Sequence, residues 1–184
     1  MIAGMDGSIT VRPATPDDAA SMQAIYAPIV EQTAVSFELT PPTTDDFAER
    51  IEAITRDLPW LAAEAEQAVV GYAYASHHRA RAAYGWSVDT SVYVLDRWRG
   101  RGVATALYDS LINDLRKLGY VSAYAGIALP NDGSVRLHEK SGFVAVGRFP
   151  TVGFKHGSWH DVGWWHLLLQ SPPDSPNEPR AWLP

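Results

Sequence analysis

The 184-residue sequence predicts one domain of the mixed α/β class, in which helices cover both faces of a central sheet. Two observations support this prediction. The centre of the chain alternates strand-like runs with helical segments, a pattern typical of mixed sheets with helices between the strands. The composition, with 46% hydrophobic and 20% charged residues, suits a chain that builds a hydrophobic core, and the length is right for one such core.

The first third of the chain contains two predicted strands and two predicted helices. Ile9–Arg12 alternates apolar and polar residues as a half-buried strand does. A threonine N-cap followed by proline and two acids predicts a helix from Thr15 to about Val30. Ala34–Leu39 is predicted as a short strand, and further capping residues predict a second helix over Thr43–Arg56.

The middle of the chain is predicted to be mostly strand. Trp60–Glu64 and Ala68–Ser76 are strand-like runs joined by a tight polar turn at residues 66 and 67, which predicts a hairpin. A loop is expected over His77–Gly85. Ser87–Val94 is rich in β-branched residues and forms the next predicted strand.

The last part of the chain alternates helices and strands. The predicted elements are, in order, a helix over Val103–Leu118 that stops at Gly119, a strand over Tyr120–Leu129, a short helix over Ser134–Ser141, and strands over Phe143–Arg148 and Asp161–Gln170. An aromatic and glycine-rich connection separates the last two strands. The single predicted domain therefore has a core over residues 9–170 and a proline-rich tail over residues 171–184.

The charge balance limits the partners that the protein can have. Fifteen Lys and Arg residues stand against 21 Asp and Glu residues, so the formal net charge is −6. A surface of that sign repels polyanions, and we expect no nucleic-acid partner. Met1–Ser8 lacks the basic and apolar segments of a secretion signal, and no apolar run approaches the roughly 20 residues that span a bilayer. We therefore expect a cytoplasmic protein without a membrane partner.

The chain has no cysteine, which excludes several kinds of chemistry. Disulfides, thiolate metal sites and a cysteine acyl-enzyme are ruled out, so any acyl transfer must be direct. His156 and His160 are four residues apart, the spacing that chelates a metal on a helix. The glycine-rich stretch around them is instead predicted to lead into a strand, so no metal site is expected.

The clearest local motif is the turn Arg99-Gly-Arg-Gly-Val-Ala104, which joins a predicted strand to a predicted helix. Free amides at a helix N-terminus, the helix dipole and the flanking arginines suit a pyrophosphate, and glycine lets such a ligand approach the backbone closely. The spacing fits neither a Walker loop nor the Rossmann fingerprint. A glycine-rich turn with solvated arginines explains the hexapeptide alone equally well.

Two blocks of the sequence resemble a known family. With Arg99, Gly102 and Ala104 in the matching positions, the turn resembles the acetyl-CoA-binding signature of GNAT acetyltransferases, Gln/Arg-x-x-Gly-x-Gly/Ala. The stretch Asn131-Asp-Gly-Ser134, with His138 and Ser141-Gly-Phe143, is similar to the second conserved block of that superfamily.

The resemblance extends over roughly Ile9 to Gln170. Ser91-Val-Tyr-Val94 and Gly153-Phe-Lys-His-Gly-Ser-Trp-His-Asp-Val-Gly163 resemble the phosphinothricin N-acetyltransferase branch. That branch is similar to enzymes that acetylate methionine sulfone and methionine sulfoximine.

The resemblance implies a fold, a reaction and a set of cofactor-binding residues. A mostly antiparallel sheet of about seven strands is expected to splay open between two parallel strands, Ser87–Val94 and Tyr120–Leu129. Acetyl-CoA is the implied co-substrate, its pantetheine arm lies in the gap, and the acceptor is the amine of a small amino-acid-like molecule. The family also implies a homodimer. The residues implied to bind acetyl-CoA are Tyr93, Val94, Arg99, Gly100, Arg101, Gly102, Val103, Ala104, Thr105, Asn131 and Ser134.

Two residues are candidates for proton transfer. A protonated amine cannot attack a thioester, so the site needs a base. Asp89 stands where the family usually carries glutamate, and its shorter side chain is expected to need an added water; a polar residue on the solvent face of a strand is the alternative reading. His138 stands where many GNAT enzymes place a tyrosine that protonates the leaving thiolate, and imidazole can donate, accept or bind the acid group of the substrate.

The substrate pocket is expected to form around a loop and several aromatic residues. Arg81 and Tyr84 match the substrate loop of the branch, and the planar fork of arginine suits a carboxylate or phosphinate. Phe37 and Tyr74 are candidates for the pocket wall or for the core, and Tyr108 is implied to lie near the thioester. The exposed-looking aromatics Phe154, Trp159, Trp164 and Trp165 are expected in a subunit interface or a pocket wall.

Two other functions stay open. An acetyltransferase that acts on a protein N-terminus or a lysine would need an open peptide groove in place of the Arg81–Tyr84 loop. A non-catalytic acyl-CoA sensor would keep the phosphate-binding turn without transfer chemistry, and the presence of Asp89 and His138 argues against it.

Overall fold

The computed structural model describes residues 8–183. Most of Met1–Ser8, for which no secretion signal is expected, therefore lies outside the described residues, as does Pro184. None of the helices in the described part of the chain is long and apolar enough to cross a membrane.

Residues 8–183 form seven strands and four α-helices. The strands are β1 (Thr10–Pro13), β2 (Trp60–Ala65), β3 (Ala68–His77), β4 (Ser87–Val94), β5 (Ser122–Leu129), β6 (Val144–Lys155) and β7 (Ser158–Leu168). The helices are α1 (Ala19–Gln32), α2 (Thr44–Thr55), α3 (Val103–Leu118) and α4 (Asp132–Lys140). Short 3₁₀ turns lie at Pro16–Asp18, Ala82–Tyr84 and Asp96–Trp98.

The strands form one sheet that opens in its middle. Their order is β1-β2-β3-β4-β5-β7-β6, and every neighbouring pair is antiparallel except β4 and β5, which run parallel. These two strands pair only from Ser87↔Ser122 to Asp89↔Tyr124. Residues 90–94 and 125–129 continue as strands without pairing to each other, which confirms the predicted splay.

Helices cover both faces of the sheet. On one face, α1 and α2 enclose a core that includes Trp60, Ala62 and Tyr72. On the other face, α3 packs against alternate strand residues such as Ala63 and Ala73. Side chains along a strand point alternately to opposite faces of the sheet. The buried residues of one strand therefore contribute in turn to the α1–α2 core and to the α3 core. The predicted fold class is confirmed.

Most predicted elements are present, but the strand at Ala34–Leu39 is wrong. That segment is irregular and connects α1 to α2. Its polar groups are satisfied by side chains instead of a neighbouring strand. The Ser36 hydroxyl hydrogen-bonds the Tyr26 hydroxyl at 2.7 Å, and Lys155 Nζ donates to the Ser36 carbonyl at 2.7 Å.

The last hairpin is longer than the sequence indicates. The expected connection between the last two strands is itself strand, because β6 continues to Lys155 and β7 begins at Ser158 after a tight turn. Cross-strand pairs such as Phe154 opposite Trp159 lie in this extension. Phe154 and Trp159 are exposed as expected, whereas Trp165 is 7% exposed and belongs to the core, so the expectation of an exposed Trp165 is wrong.

The proline-rich tail packs against the domain. Trp182 is buried, and its backbone amide donates to the Asp57 carbonyl at 3.0 Å. Further back, the Trp86 indole donates to the Asn177 carbonyl at 2.7 Å. The tail therefore contacts the loop between α2 and β2 as well as the residue that leads into β4.

Candidate active site

A cleft passes through the sheet where β4 and β5 separate. It is lined by residues from β4, β5, α3, α4 and the α1–α2 connection, namely Val35, Thr90, Ser91, Val92, Tyr93, Tyr108, Gly126, Ile127, Ala128, Asn131, Ser134 and His138. Residues of both strand faces contribute to this lining. The cleft therefore connects the two sides of the sheet, and a donor on one side can meet an acceptor on the other.

Asp89 lies at the last paired position of β4 before the sheet opens. Its Oδ1 is 2.7 Å from Nδ1 of His78, and its Oδ2 is 4.0 Å from Arg79 Nη1. Burial raises the pKa of Asp89 above the ordinary aspartate value, and the hydrogen bond with His78 and the charge of Arg79 offset this rise only in part. A carboxylate with a raised pKa, 28% exposed at its side chain, suits a proton acceptor better than a solvated surface residue.

Tyr108 and His138 form a buried hydrogen-bonded pair on the other side of the opening. The Tyr108 hydroxyl lies 2.8 Å from His138 Nε2, and His138 Nδ1 lies 2.7 Å from the Ser134 carbonyl oxygen. A carbonyl only accepts, so Nδ1 carries the ring hydrogen, and Nε2 accepts from Tyr108. Burial lowers the pKa of His138 despite the hydrogen bond to Ser134, which keeps the ring neutral at pH 7.

The carboxylate and the Tyr108–His138 pair lie on opposite faces of the sheet. Thr90 Oγ1 lies 3.5 Å from the Tyr108 hydroxyl, which places Thr90 on the α3 face. Asp89 is the preceding residue of the same strand and points to the α1–α2 face. Two groups that can move protons therefore stand on either side of one opening, as a direct transfer between two bound substrates requires.

The glycine-rich turn before α3 forms an open cradle. Gly100 and Gly102 have φ angles of +73° and +86°, in the left-handed region, and a Cβ added at either would meet nothing within 4 Å. The amides of Val103, Ala104 and Thr105 begin α3 and have no acceptor within the helix. The cradle thus fits the phosphate groups of a coenzyme, which the resemblance predicts there.

A family model described as Acetyltransferase (GNAT) domain matches residues 11–164. The chain belongs to the GNAT acetyltransferases. It is 40% identical over 172 residues to the phosphinothricin N-acetyltransferase of Streptomyces viridochromogenes, covering 93% of this chain and 94% of that one. It is 34% identical over 164 residues to the L-methionine sulfoximine/L-methionine sulfone acetyltransferase of Salmonella typhimurium, covering 88% of this chain and 95% of that one.

A solved GNAT structure agrees with the fold described above. The crystal structure of a GNAT superfamily phosphinothricin acetyltransferase from Sinorhizobium meliloti, in complex with AcCoA, superposes with a TM-score of 0.86 at 34% identity. The match covers 91% of this chain and 95% of that chain. Family, fold and use of acetyl-CoA as co-substrate are thereby established for this GNAT enzyme.

The predicted cofactor residues fall into three groups in this GNAT domain. Arg99 and Arg101 are exposed beside the cradle, where Arg99 pairs with Asp96 at 3.2 Å and Arg101 stacks over Trp98 at 5.1 Å. The backbone of Tyr93 and Val94 lies on the part of β4 that pairs with β3 but not with β5. Asn131 and Ser134 line the cleft, and the Asn131 side chain also caps α4 by accepting from the Ser134 amide at 3.1 Å.

The positive φ angles identify which glycines shape the cradle. Gly100 and Gly102 form it, whereas Ala104 lies inside the first turn of α3. The GNAT signature also fits when Arg97, Gly100 and Gly102 fill its three fixed positions, and that frame coincides with the two left-handed residues. Val103 contributes only its backbone, because its side chain is 1% exposed in the core.

The predicted substrate residues are partly brought together on the α1–α2 face. Arg81 and Tyr84 lie in the loop before β4 with exposed side chains, and the Tyr84 ring is 5.8 Å from the His78 ring. Tyr74 stacks on Trp60 at 4.3 Å and sits opposite Ser91, so it belongs to the wall between core and cleft. Tyr108 is buried on the α3 face and lines the cleft from the other side.

Phe37 is fixed against the last hairpin. Its ring packs so closely on Gly153 that a Cβ there would lie 2.2 Å from the ring. Lys155, 3% exposed, donates to the Val30 and Ser36 carbonyls at 2.6 and 2.7 Å and ties the α1–α2 connection to β6. The segment that carries Phe37 is therefore held by Gly153 and Lys155, which belong to the stretch that resembles the phosphinothricin N-acetyltransferase branch.

Sequence reasoning missed three residues around Asp89, namely His78, Arg79 and Tyr124, and named Trp164 only as part of a subunit interface or a pocket wall. His78 is bonded to Asp89, stacks on Tyr124 at 4.5 Å, and meets the Trp164 ring edge-on at 6.1 Å. Arg79 lies 5.7 Å above the same Trp164 ring. The position of His78 and Arg79 just before the Arg81–Tyr84 loop was the available signal. Tyr124 carried none, because nothing in the sequence pairs β5 with β7.

The paired histidines of the last hairpin bind backbone carbonyls. His156 Nε2 lies 3.2 Å from the Thr33 carbonyl, and His160 Nε2 lies 3.0 Å from the Lys155 carbonyl. Within residues 8–183 no group of three or more His, Asp or Glu side chains could hold a metal ion.

Proposed function

We propose that this GNAT enzyme transfers the acetyl group of acetyl-CoA to the amino group of a small amino acid analogue, with phosphinothricin, methionine sulfone and methionine sulfoximine as its substrates. The observation that carries the proposal is the opening between β4 and β5, with a carboxylate on one face and a Tyr–His pair on the other. The names of the relatives supply the acceptor class.

The acceptor binds on the α1–α2 face in this proposal. Arg79 and Arg81 lie on the loop before β4 and suit the acid group of an amino acid, while Phe37 and Tyr74 supply apolar surface. The carboxylate of Asp89 stands at the mouth of the opening and draws the ammonium group towards the thioester. Its raised pKa suits it to share a proton with that group.

The leaving sulfur is served from the α3 face. Acetyl-CoA supplies the thioester, and the Tyr108 hydroxyl can stabilise the departing thiolate when its single hydrogen turns from His138 Nε2 towards the sulfur. His138 accepts from that hydroxyl and holds it in place. Of the roles that its imidazole could play, we propose this acceptor role, because Nδ1 is committed to the Ser134 carbonyl.

We further propose that two copies of the chain associate through the last hairpin. Val144, Val146, Phe149 and Val152 on β6 are each at least half exposed, as are Phe154 and Trp159. β6 is also an edge strand of the sheet. A row of apolar side chains on an edge strand is typical of a subunit interface. The cytoplasmic location stays a prediction.

Thiol release from acetyl-CoA tests the function. Phosphinothricin, methionine sulfone, methionine sulfoximine, ordinary amino acids and a peptide are compared, with Asp89→Asn and His138→Ala beside the wild type. Asp109→Asn, an exposed aspartate on α3, is the matched control. Turnover of the first three amines that drops in both site variants supports the proposal. Turnover of the peptide alone would make the protein a peptide acetyltransferase, and acetyl-CoA binding without turnover would make it a sensor.

A further inference from the structure

We propose that His78 is a further catalytic residue, which accepts the proton of the substrate amine while Asp89 holds the imidazole in place. This inference rests on the proposed acetyl transfer and deepens it. Its starting observation is the 2.7 Å contact between His78 Nδ1 and Asp89 Oδ1, made by a histidine whose side chain is 13% exposed. The two residues are eleven positions apart, on adjacent strands or their continuation.

The contact determines which ring nitrogen of His78 is free. A carboxylate accepts hydrogen bonds and does not donate them, so Nδ1 carries the hydrogen, and Nε2 keeps its lone pair. No residue within 8–183 hydrogen-bonds Nε2, and Nε2 is not among the enclosed polar atoms without a partner. A basic nitrogen whose orientation is fixed by a carboxylate is thus available to a ligand, the arrangement by which an aspartate sets the tautomer of a catalytic histidine.

The ring lies at the mouth of the opening in the sheet. It stacks on Tyr124, the residue opposite Asp89 at the last paired position of β4 and β5. Tyr84 from the substrate loop and Trp164 from β7 contact its edges. These aromatic side chains fix the ring plane, so the imidazole faces the same side of the opening as the acceptor pocket.

Several charged or titratable groups face His78 from the surrounding elements. Asp89 belongs to β4 and Tyr124 to β5, while Arg79 and Tyr84 belong to the loop. His166 on β7 lies beyond Tyr124, with its ring 4.9 Å from the tyrosine ring. Arg79 Nη1 lies 4.0 Å from Asp89 Oδ2, so the carboxylate is not an isolated buried charge while His78 is neutral, and its own charge stabilises an imidazolium when His78 takes up a proton.

The short side chain of Asp89 explains why the site would need His78. GNAT relatives usually carry glutamate where this chain has aspartate, and the missing methylene moves the carboxylate away from the amine. An imidazole bonded to the carboxylate extends its reach by the width of a ring. His78 thereby occupies the place of the added water that the sequence alone suggests.

The proton path is then complete. His78 Nε2 takes one proton from the substrate ammonium, and the neutral amine attacks the thioester carbonyl. The C–N bond forms and the C–S bond breaks. The nitrogen loses its second proton to solvent or to the imidazole of His78 after the ring has released the first. The sulfur leaves as a thiolate, which is protonated from the α3 face. No atom changes oxidation state. His78 returns to its starting form by releasing its proton to water, and the Tyr108 hydroxyl regains from water any proton that it gives to the thiolate.

The first test replaces His78 by phenylalanine, which keeps an aromatic ring without the nitrogens, and by alanine, which removes the ring. We expect kcat on the best amine to fall about 10²- to 10⁴-fold in His78→Phe, the range measured for a lost general base, with KM for acetyl-CoA unchanged. In His78→Ala, added imidazole should restore turnover in proportion to its neutral form. His77→Ala, at an exposed neighbouring position, is the control. Wild-type kcat in His78→Phe would overturn the proposal.

A compensating variant separates a chemical role from a structural one. In Asp89→Glu/His78→Phe the longer carboxylate can reach the amine by itself, so we expect the double variant to be faster than His78→Phe alone. A purely structural role of the His78 ring predicts the opposite order, because the double variant changes more of the site.

A measurement without turnover completes the set. The ¹⁵N shifts of the neutral His78 ring should show a protonated Nδ1 and a bare Nε2, and a protonated Nε2 would overturn the proposal. If the wild type acetylates none of the amines, the proposed function fails, but the ¹⁵N shifts still show whether Asp89 holds the proton on Nδ1 of His78. If the wild type is active and the His78 variants match it, only the dyad fails.

Discussion

Replacing Tyr108 by phenylalanine separates the two faces of the site. The change deletes one hydroxyl, keeps the ring that packs on Phe143 at 6.0 Å, and leaves the buried acceptor Nε2 of His138 without its 2.8 Å partner. An unsatisfied buried acceptor costs about 1–3 kcal/mol of folding stability. In the proposed mechanism the same hydroxyl turns to the departing sulfur, so its loss should lower kcat by about 10²-fold or more.

The KM values show on which face the loss occurs. Tyr108 and Asp89 point to opposite faces, so KM for the amine should stay within about twofold of wild type in Tyr108→Phe. Initial rates of thiol release at varied amine and acetyl-CoA give both constants, and urea unfolding gives the stability change. Tyr120→Phe is the control, a buried tyrosine whose hydroxyl has no hydrogen-bond partner within residues 8–183. A kcat equal to wild type in Tyr108→Phe would refute the reasoning.

Three further substitutions probe the pocket wall and the fold. Gly153→Ala should push the Phe37 ring by about 1.2 Å, from 2.2 Å to an ordinary 3.4 Å contact, and raise KM for the amine about tenfold, whereas Gly147→Ala meets nothing within 4 Å and should leave KM unchanged. Trp182→Ala should cost about 3–5 kcal/mol in urea unfolding, and a loss below 1 kcal/mol would contradict its role in the core. Burial raises the pKa of Asp18, but hydrogen bonds from Arg12 outweigh this and hold the pKa below the ordinary aspartate value. The ionised Asp18 therefore stabilises the fold above about pH 4, and this stabilisation is lost as the pH falls through the lowered pKa. Asp18→Asn should flatten the fall in the free energy of unfolding below about pH 4, and an unchanged acid dependence would argue against this role of Asp18.

The sequence predicts those parts of the fold that depend on local chemistry. Thr43 caps α2 by accepting from the Asp46 amide at 3.1 Å, and the polar pair Glu66 and Gln67 takes positive φ angles in the β2–β3 turn. The failed strand at Ala34–Leu39 has a cause that is distant in sequence. Lys155 lies 119 residues further along the chain and donates to the Ser36 carbonyl, which would otherwise need a strand partner.

The site follows the same division. The glycine-rich turn could be named from its residue types and spacing, whereas Asp89 and His138 were named from the positions that they occupy in the resembled family. The bond between Asp89 and His78 could not, since it depends on how β3 continues past its last paired residue and on which way the ring turns. Nor could the Tyr108–His138 bond, which joins residues 30 positions apart on two different helices.

The alternation of side chains along β4 has a consequence for how this enzyme can diversify. Asp89 and Thr90 are consecutive in the chain, yet Asp89 points to the α1–α2 face, where we propose that the amine binds, and Thr90 points to the α3 face. Mutations that retune the acceptor pocket can therefore accumulate on one face while the machinery for the shared donor stays intact on the other. Protein engineers who want a new amine specificity should restrict their libraries to the α1–α2 face and to the loop before β4.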